Sequence, residues 1–152
     1  MVAMVKNQQL KEPDWSFGCT SVKRIQLTEL VHQSPTVFTS QNCKETLAIV
    51  YAYPESECIV VSNHNNMPLG LIHCDKFFLK LTGRFGMDMF YRESVTKLMN
   101  RNPLIIDIQC TIETLLDLLA LRPYYARNDS IIVTKQGKIA GTVHPSDWIH
   151  TN

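Results

Sequence analysis

The apolar positions of this chain fall into short continuous runs and longer spaced stripes, and the two kinds alternate in one order twice over. In the first half Thr36-Val37-Phe38 leads to a stripe around Leu47, Ile49 and Val50. The run Cys58-Ile59-Val60-Val61, the polar turn Asn63-His64-Asn65-Asn66 and the run Leu69-Gly70-Leu71-Ile72-His73 follow. In the second half Leu104-Ile105-Ile106 leads to Leu115, Leu116, Leu118 and Leu119. Then come Ile131-Ile132-Val133, the turn Lys135-Gln136-Gly137 and Ala140-Gly141-Thr142-Val143-His144. Glu-Thr-Leu recurs 68 residues on, and Gly-x-aliphatic-His recurs 71 residues on. Order, spacing and residue type agree, which marks an internal repeat.

Each copy reads strand–helix–strand–strand–helix. The unbroken β-branched run Ile131-Ile132-Val133 predicts a strand buried on both faces. Gly137 supplies a turn residue tolerant of positive φ, so a second strand over 139–143 pairs back as a hairpin. Thr111 is placed to cap a helix whose Leu115, Leu116, Leu118 and Leu119 form its buried stripe. Pro145 suits the first turn of a closing helix. In the first copy that helix runs through Phe77-Phe78-Leu79-Lys80-Leu81 and stops at Thr82-Gly83. The fold class predicted is α/β (α+β): two pseudo-twofold-related β-α-β-β-α units packed sheet to sheet. Their bounds are a flexible tail at 1–18, unit 1 at 19–82, a connector at 83–92 and unit 2 at 93–152. Residues 25–31 and 95–99 are expected as short helices opening the two units.

Composition narrows the function classes. A formal net charge of +1 over 152 residues gives no general drive toward nucleic acid or an anionic membrane. Five cysteines at wide, irregular spacing, with no CxxC, point to small buried residues in a reducing compartment rather than to a zinc or redox motif. The amino terminus turns polar within a few residues, and no apolar run approaches the ~20 residues of a membrane span. The expectation is a soluble, cytoplasmic protein. No GxSxG, HExxH, GxGxxG or P-loop spacing occurs, so no enzyme class is selected.

Two stretches carry a family resemblance. The segment Val95-Thr96-Lys97-Leu98-Met99-Asn100-Arg101-Asn102-Pro103-Leu104-Ile105-Ile106-Asp107 resembles the opening pattern of a cystathionine-β-synthase-type (CBS) domain. The segment Lys138-Ile139-Ala140-Gly141-Thr142-Val143-His144-Pro145-Ser146-Asp147-Trp148 resembles its ending. With the repeat, the resemblance covers roughly residues 20–150 and is to a tandem CBS pair, or Bateman module. The connector is similar to those of pairs attached to bacterial diguanylate-cyclase and phosphodiesterase signalling proteins. The resemblance implies two clefts between the units, homodimerisation through helices, and adenosine-type ligands: AMP, ADP, ATP or S-adenosylmethionine. It implies no required cofactor and no metal.

In such pairs a hydroxyl residue and an Asp three positions on flank the closing helix, and the carboxylate accepts both ribose hydroxyls. The matching positions here are His144 and Asp147, with Pro145 and Ser146 between them. The resemblance places adenine in an apolar slot of the same unit near Ile106, Asp107, Ala126 and Arg127, with a tyrosine to stack and Arg127 toward phosphate. In unit 1 the matching positions are His73 and Lys76. A lysine accepts no hydrogen bond from a ribose, though it attracts phosphate as a point charge. Unit 2 is therefore the favoured cleft. Against these readings, Asp147 also suits a helix first turn for its dipole alone, and the repeated histidines are read as cap or surface residues rather than metal ligands. The function expected is a non-catalytic sensor that relays ligand occupancy as a change of shape, acting on an effector domain or protein. The alternative is a dimerisation scaffold with degenerate clefts.

Overall fold

Strand β2 (Cys58–Ser62) is buried at every position, because it lies in the centre of a three-stranded sheet covered on both faces. Its neighbours are β1 (Thr36–Phe38), parallel, and β3 (Pro68–His73), antiparallel. Helix α1 (Cys43–Ala52) makes the crossover from β1 to β2, and α2 (Cys74–Thr82) follows β3. The second sheet repeats this order with β4 (Ile105–Asp107), β5 (Ile131–Lys135) and β6 (Lys138–Val143), its crossover being α4 (Ile112–Ala120). A register shift sits at the same place in both hairpins, between Val61 and Ser62 and between Val133 and Thr134. This computed structural model describes residues 26–145. The tail expected at 1–18 and the closing helix expected after Pro145 lie outside the described residues.

The strand alternation sorts side chains into three cores. Ile59 and Val61 face the helices of the first unit, with Leu47, Phe77 and Leu81. Ile131 and Val133 do the same in the second, with Leu115 and Ile106. The opposite faces carry Cys58, Val60 and Leu71 against Ile132, with Ile139 packed beside them, so the two sheets meet directly. Each fully buried aliphatic there is worth about 1.5–3 kcal/mol of removal from water.

Local chemistry explains the ends of the elements. Asn42 caps α1 in a capping box: its Oδ1 accepts from the Glu45 amide at 2.8 Å, and Glu45 Oε1 accepts from the Asn42 amide at 2.9 Å. Thr111 caps α4 as expected, accepting from the Thr114 amide at 3.1 Å. Gln136 and Gly137, at φ 55° and 79°, form a two-residue turn with both residues in the left-handed region, matching the right-handed strand twist. One expectation needs correction. Leu116 is not part of the buried stripe: it is 43% exposed, because α4 turns only Leu115 fully inward. Within the connector a short helix, α3 (Gly86–Phe90), forms, with Phe90 and Tyr91 packing against the first core.

The units also exchange their lead-in segments. The 3-10 turn Leu27–Glu29, ahead of β1, sends Leu27 and Leu30 into the second core. The turn Val95–Lys97, ahead of β4, sends Val95 into the first, where Leu98 and Met99 join it. Reciprocal backbone pairs lock the exchange. His32 and Thr142 bond amide to carbonyl in both directions (2.8 and 2.9 Å), and so do Asn100 and Leu71 (2.8 and 3.0 Å). A side chain at Gly141, where φ is 156°, would overlap the His32 carbonyl oxygen; one at Gly70 would overlap the Met99 sulfur and lie 3.0 Å from the Asn100 carbonyl oxygen. The repeated glycine therefore marks where one unit's lead-in crosses the other unit's sheet. Among the described residues no helix is long and apolar enough to cross a membrane.

Candidate functional site

The exchange creates two clefts, each walled by both units. Cleft 1, with a cavity of about 710 Å³, has His32, Gln33, Ser34 and Pro35 ahead of β1 on one side and residues 52–58 ahead of β2 beside them. Ser130, Thr142 and His144 of the second unit close it. Cleft 2, about 460 Å³, has residues 97–100 ahead of β4, Tyr125 and Asp129 on one side, and Leu71, His73, Lys76, Phe77, Lys80 and Phe90 on the other.

One ion pair bridges the units at each cleft, and both use an equivalent acidic position, the residue ahead of Cys58 or Ser130 on the way into the central strand. At cleft 1 Glu57 Oε1 pairs with His144 Nε2, whose Nδ1 lies 3.1 Å from Ser130 Oγ. At cleft 2 Asp129 Oδ1 pairs with Lys76 Nζ at 3.2 Å. Asp129 is set in place by its own amide donating to the Ala126 carbonyl at 3.1 Å and by Arg122 Nη2 donating to its carbonyl oxygen at 3.0 Å. Ser34 Oγ meets Thr142 Oγ1 at 2.5 Å, a further tie across cleft 1. Such part-exposed pairs contribute about 0–1 kcal/mol each to stability, so they position the units more than they hold them.

Electrostatics separate the clefts. Among the described residues cleft 1 carries Glu55 and Glu57 and neither lysine nor arginine. Cleft 2 carries Lys76, Lys80 and Lys97 against Asp129 alone. The cysteines nearby are inert. Burial first, then neighbouring Cys58, Asp75 and Glu57, pushes the Cys74 thiol up to about 12. Burial, with Glu93 assisting, raises Cys43 as well. Among the described residues no group of three or more His, Cys, Asp or Glu is arranged to hold a metal.

The residues expected to share one cleft in unit 2 are divided. His144 lines cleft 1, and Pro145 follows it as a buried turn residue. Ser146 and Asp147 lie outside the described residues. Ile106 is 5% exposed within the second core and reaches neither cleft. Asp107 is exposed and accepts from the Gln109 amide at 2.8 Å. Ala126 ends the 3-10 turn Tyr124–Ala126, and Arg127 lies over the Tyr124 ring at 5.0 Å. None of these four lines a cleft. The physical reason is the exchange: β6 ends against the lead-in of β1, not against the wall of its own unit. His73 and Lys76 do share cleft 2, facing Tyr125 and Asp129 of the other unit. Sequence reasoning did not single out Glu57, Lys80 or Lys97 as site residues, and it placed Asp129 only within the segment beside the expected slot. The repeat could have found Glu57 and Asp129, because they lie 72 residues apart, the same offset that relates Ile59 to Ile131.

No protein-family model matches the chain, and no curated protein matches it. Solved structures do. Protein MJ1004 from Methanocaldococcus jannaschii matches with a TM-score of 0.65 at 12% identity over 84% of this chain, which spans 58% of that protein. The CBS-domain-containing protein ATU1752 from Agrobacterium tumefaciens matches with a TM-score of 0.62 at 18% identity, over 82% of this chain and 94% of that one. The cytosolic domain of the magnesium channel MgtE, in complex with ATP, matches at 0.60 and 17% identity, over 78% of this chain and 45% of that one. With two three-stranded sheets in repeated order, meeting face to face, the chain has the fold of a tandem CBS-domain pair.

Proposed function

We propose that the chain is a non-catalytic regulatory module that binds an adenosyl ligand in cleft 1 and passes occupancy on as a shift between its two units. The observation that carries this reading is the construction of cleft 1: a cavity of about 710 Å³ whose walls come from both units and whose rim is bridged by Glu57 and His144. A ligand touching both walls has different affinity for the open and closed arrangements, which is what population shift requires. Asp147 follows His144 by three residues in the sequence. That leaves a carboxylate available to a ribose diol. The ATP held by the MgtE domain supports the general chemistry.

Within the class expected from sequence, the lining favours S-adenosylmethionine or adenosine over ATP, because two carboxylates and no lysine or arginine oppose a triphosphate. Burial of Cys43 and Cys74 as neutral thiols fits a module without a nucleophile. The effector is a catalytic domain or a separate protein, and the connector's similarity to those of cyclase and phosphodiesterase proteins favours the former. Calorimetry with S-adenosylmethionine, adenosine, AMP, ADP and ATP tests the reading, with Asp147→Ala as control. Heat with the first two, lost in the variant, supports it; no heat with any of the five defeats it.

A second reading, a dimerisation scaffold, rests on exposed apolar side chains of α2 and α3: Leu79 is 69% exposed and Met89 61%. Light scattering across a concentration series distinguishes it. A dimer whose melting temperature ignores all five ligands fits the scaffold alone.

A further inference from the structure

We propose that cleft 2 is an oxyanion site, selective for a phosphate or pyrophosphate group and indifferent to a nucleoside. It is separate from the adenosyl reading of cleft 1 and does not depend on it. The chain is near neutral overall, with a formal net charge of +1, yet Lys76, Lys80 and Lys97 gather round one cavity of about 460 Å³. They come from two elements, α2 of the first unit and the lead-in of the second, which crosses the first unit's sheet. Lys76 spends its charge on Asp129 at 3.2 Å, which leaves the carboxylate matched. Lys80, stationed over the Phe90 ring at 6.0 Å, and exposed Lys97 then set the sign of the cavity.

Two features sharpen the preference. His73, at the cap position of α2, lines this cleft without a side-chain cap bond, while the Cys74 amide donates to the Glu57 carbonyl and Asp75 in the first turn offsets part of the helix's positive end. The His73 ring lines the same cavity with a buried Nδ1 that makes no hydrogen bond among the described residues. Where a ribose-binding carboxylate would sit, Lys76 offers only donors. Tyr125 faces the cavity but is 81% exposed, an open wall rather than a slot for a base. Three ammonium groups against one carboxylate, Asp129, which is already paired with Lys76, favour the anion over the nucleoside.

The probe is pyrophosphate, titrated calorimetrically into the full chain at constant ionic strength, with adenosine and ATP as competitors. One site is expected, weakening as potassium chloride rises from 50 to 200 mM. The double variant Lys80→Glu/Lys97→Glu is expected to lose at least tenfold in affinity, while Lys97→Arg keeps it. Both lysines are exposed, and circular dichroism checks that the variants fold. ATP should compete and adenosine should not. No binding to the native chain, equal binding to the double variant, or displacement by adenosine would each overturn the proposal. Adenosine or S-adenosylmethionine binding to cleft 1 is scored separately in the same variants, so failure of one site is not read as failure of the other.

Discussion

Replacing Gly141 with alanine loads two costs on one atom. Its φ of 156° is a conformation that side-chain-bearing residues rarely adopt, and the new Cβ would overlap the His32 carbonyl oxygen. Backbone strain of that kind costs about 1–3 kcal/mol. The backbone oxygen cannot rotate aside, so the His32–Thr142 pair must loosen as well, forfeiting two hydrogen bonds of about 1 kcal/mol each. The expected loss is therefore about 3–5 kcal/mol, a large part of a typical domain's stability of 5–15 kcal/mol. Gly137→Ala is the control. It also has positive φ, at 79°, but nothing lies within 4 Å of the added Cβ, so about 1 kcal/mol is expected. Gly70→Ala is intermediate, because its first obstacle is the flexible Met99 thioether, and Met99→Ala should recover part of its loss. Urea unfolding followed by circular dichroism reads all three, with the slope unchanged if only stability moves. Amide exchange should speed at His32 and Thr142 in Gly141→Ala alone. If Gly141→Ala and Gly137→Ala cost the same, the lead-in crossing is not what the repeated glycine serves, and the reasoning fails.

Three further outcomes follow from the geometry. Leu115→Ala should cost about 2–5 kcal/mol in urea, and Leu116→Ala less than 1 kcal/mol, since only the former is buried. Cys74 holds its proton in the folded state after an unfolded thiol has lost it near 9, so stability falls as pH climbs from 9 toward 12. Relative to Cys74→Ala, the native chain should lose at most about 1.4 kcal/mol per pH unit across that window, and a constant difference would refute the assigned burial. Glu57→Ala removes the bridge over cleft 1 and should change thermal stability by under about 1 kcal/mol, because the glutamate is 54% exposed, while altering the affinity of whatever adenosyl ligand cleft 1 binds. A stability loss of several kcal/mol would mean that the pair holds the fold together.

Periodicity carried the strands, the hairpins and the repeat, because a central strand covered on both faces must be apolar throughout, as Ile59 to Val61 and Ile131 to Val133 are. It could not carry the exchange of lead-ins. Leu27 and Val95 announce a buried position equally well in either unit, and nothing local says which core receives them. That ambiguity bears on the expected slot: Ile106 and Ala126 belong to the same repeat as His144, but the wall opposite His144 comes from residues 32–35 and 52–57. Leu116 misled for a different reason. Four leucines crowd one helix turn and a half, more than a single stripe accommodates, so one must face outward.

The two ion pairs show how a duplicated unit acquires two unlike sites without altering its backbone. The acidic position is retained in both copies, as Glu57 and as Asp129, and the central strands behind it are equally buried. What differs is the partner. In cleft 1 it is the imidazole of His144, in a cavity otherwise carrying carboxylates. In cleft 2 it is the amine of Lys76, in a cavity with two more lysines. Each partner stands at or just beyond the end of a strand that pairs with the other unit's lead-in, so a ligand in either cleft bears on the contact between the sheets. The Cys58, Val60, Leu71 and Ile132 cluster lies between the two clefts and is shared by both. Were the two proposed ligands to bind, a shift of one sheet across that apolar surface would move the walls of both clefts together, a physical route for one occupant to alter the affinity of the other.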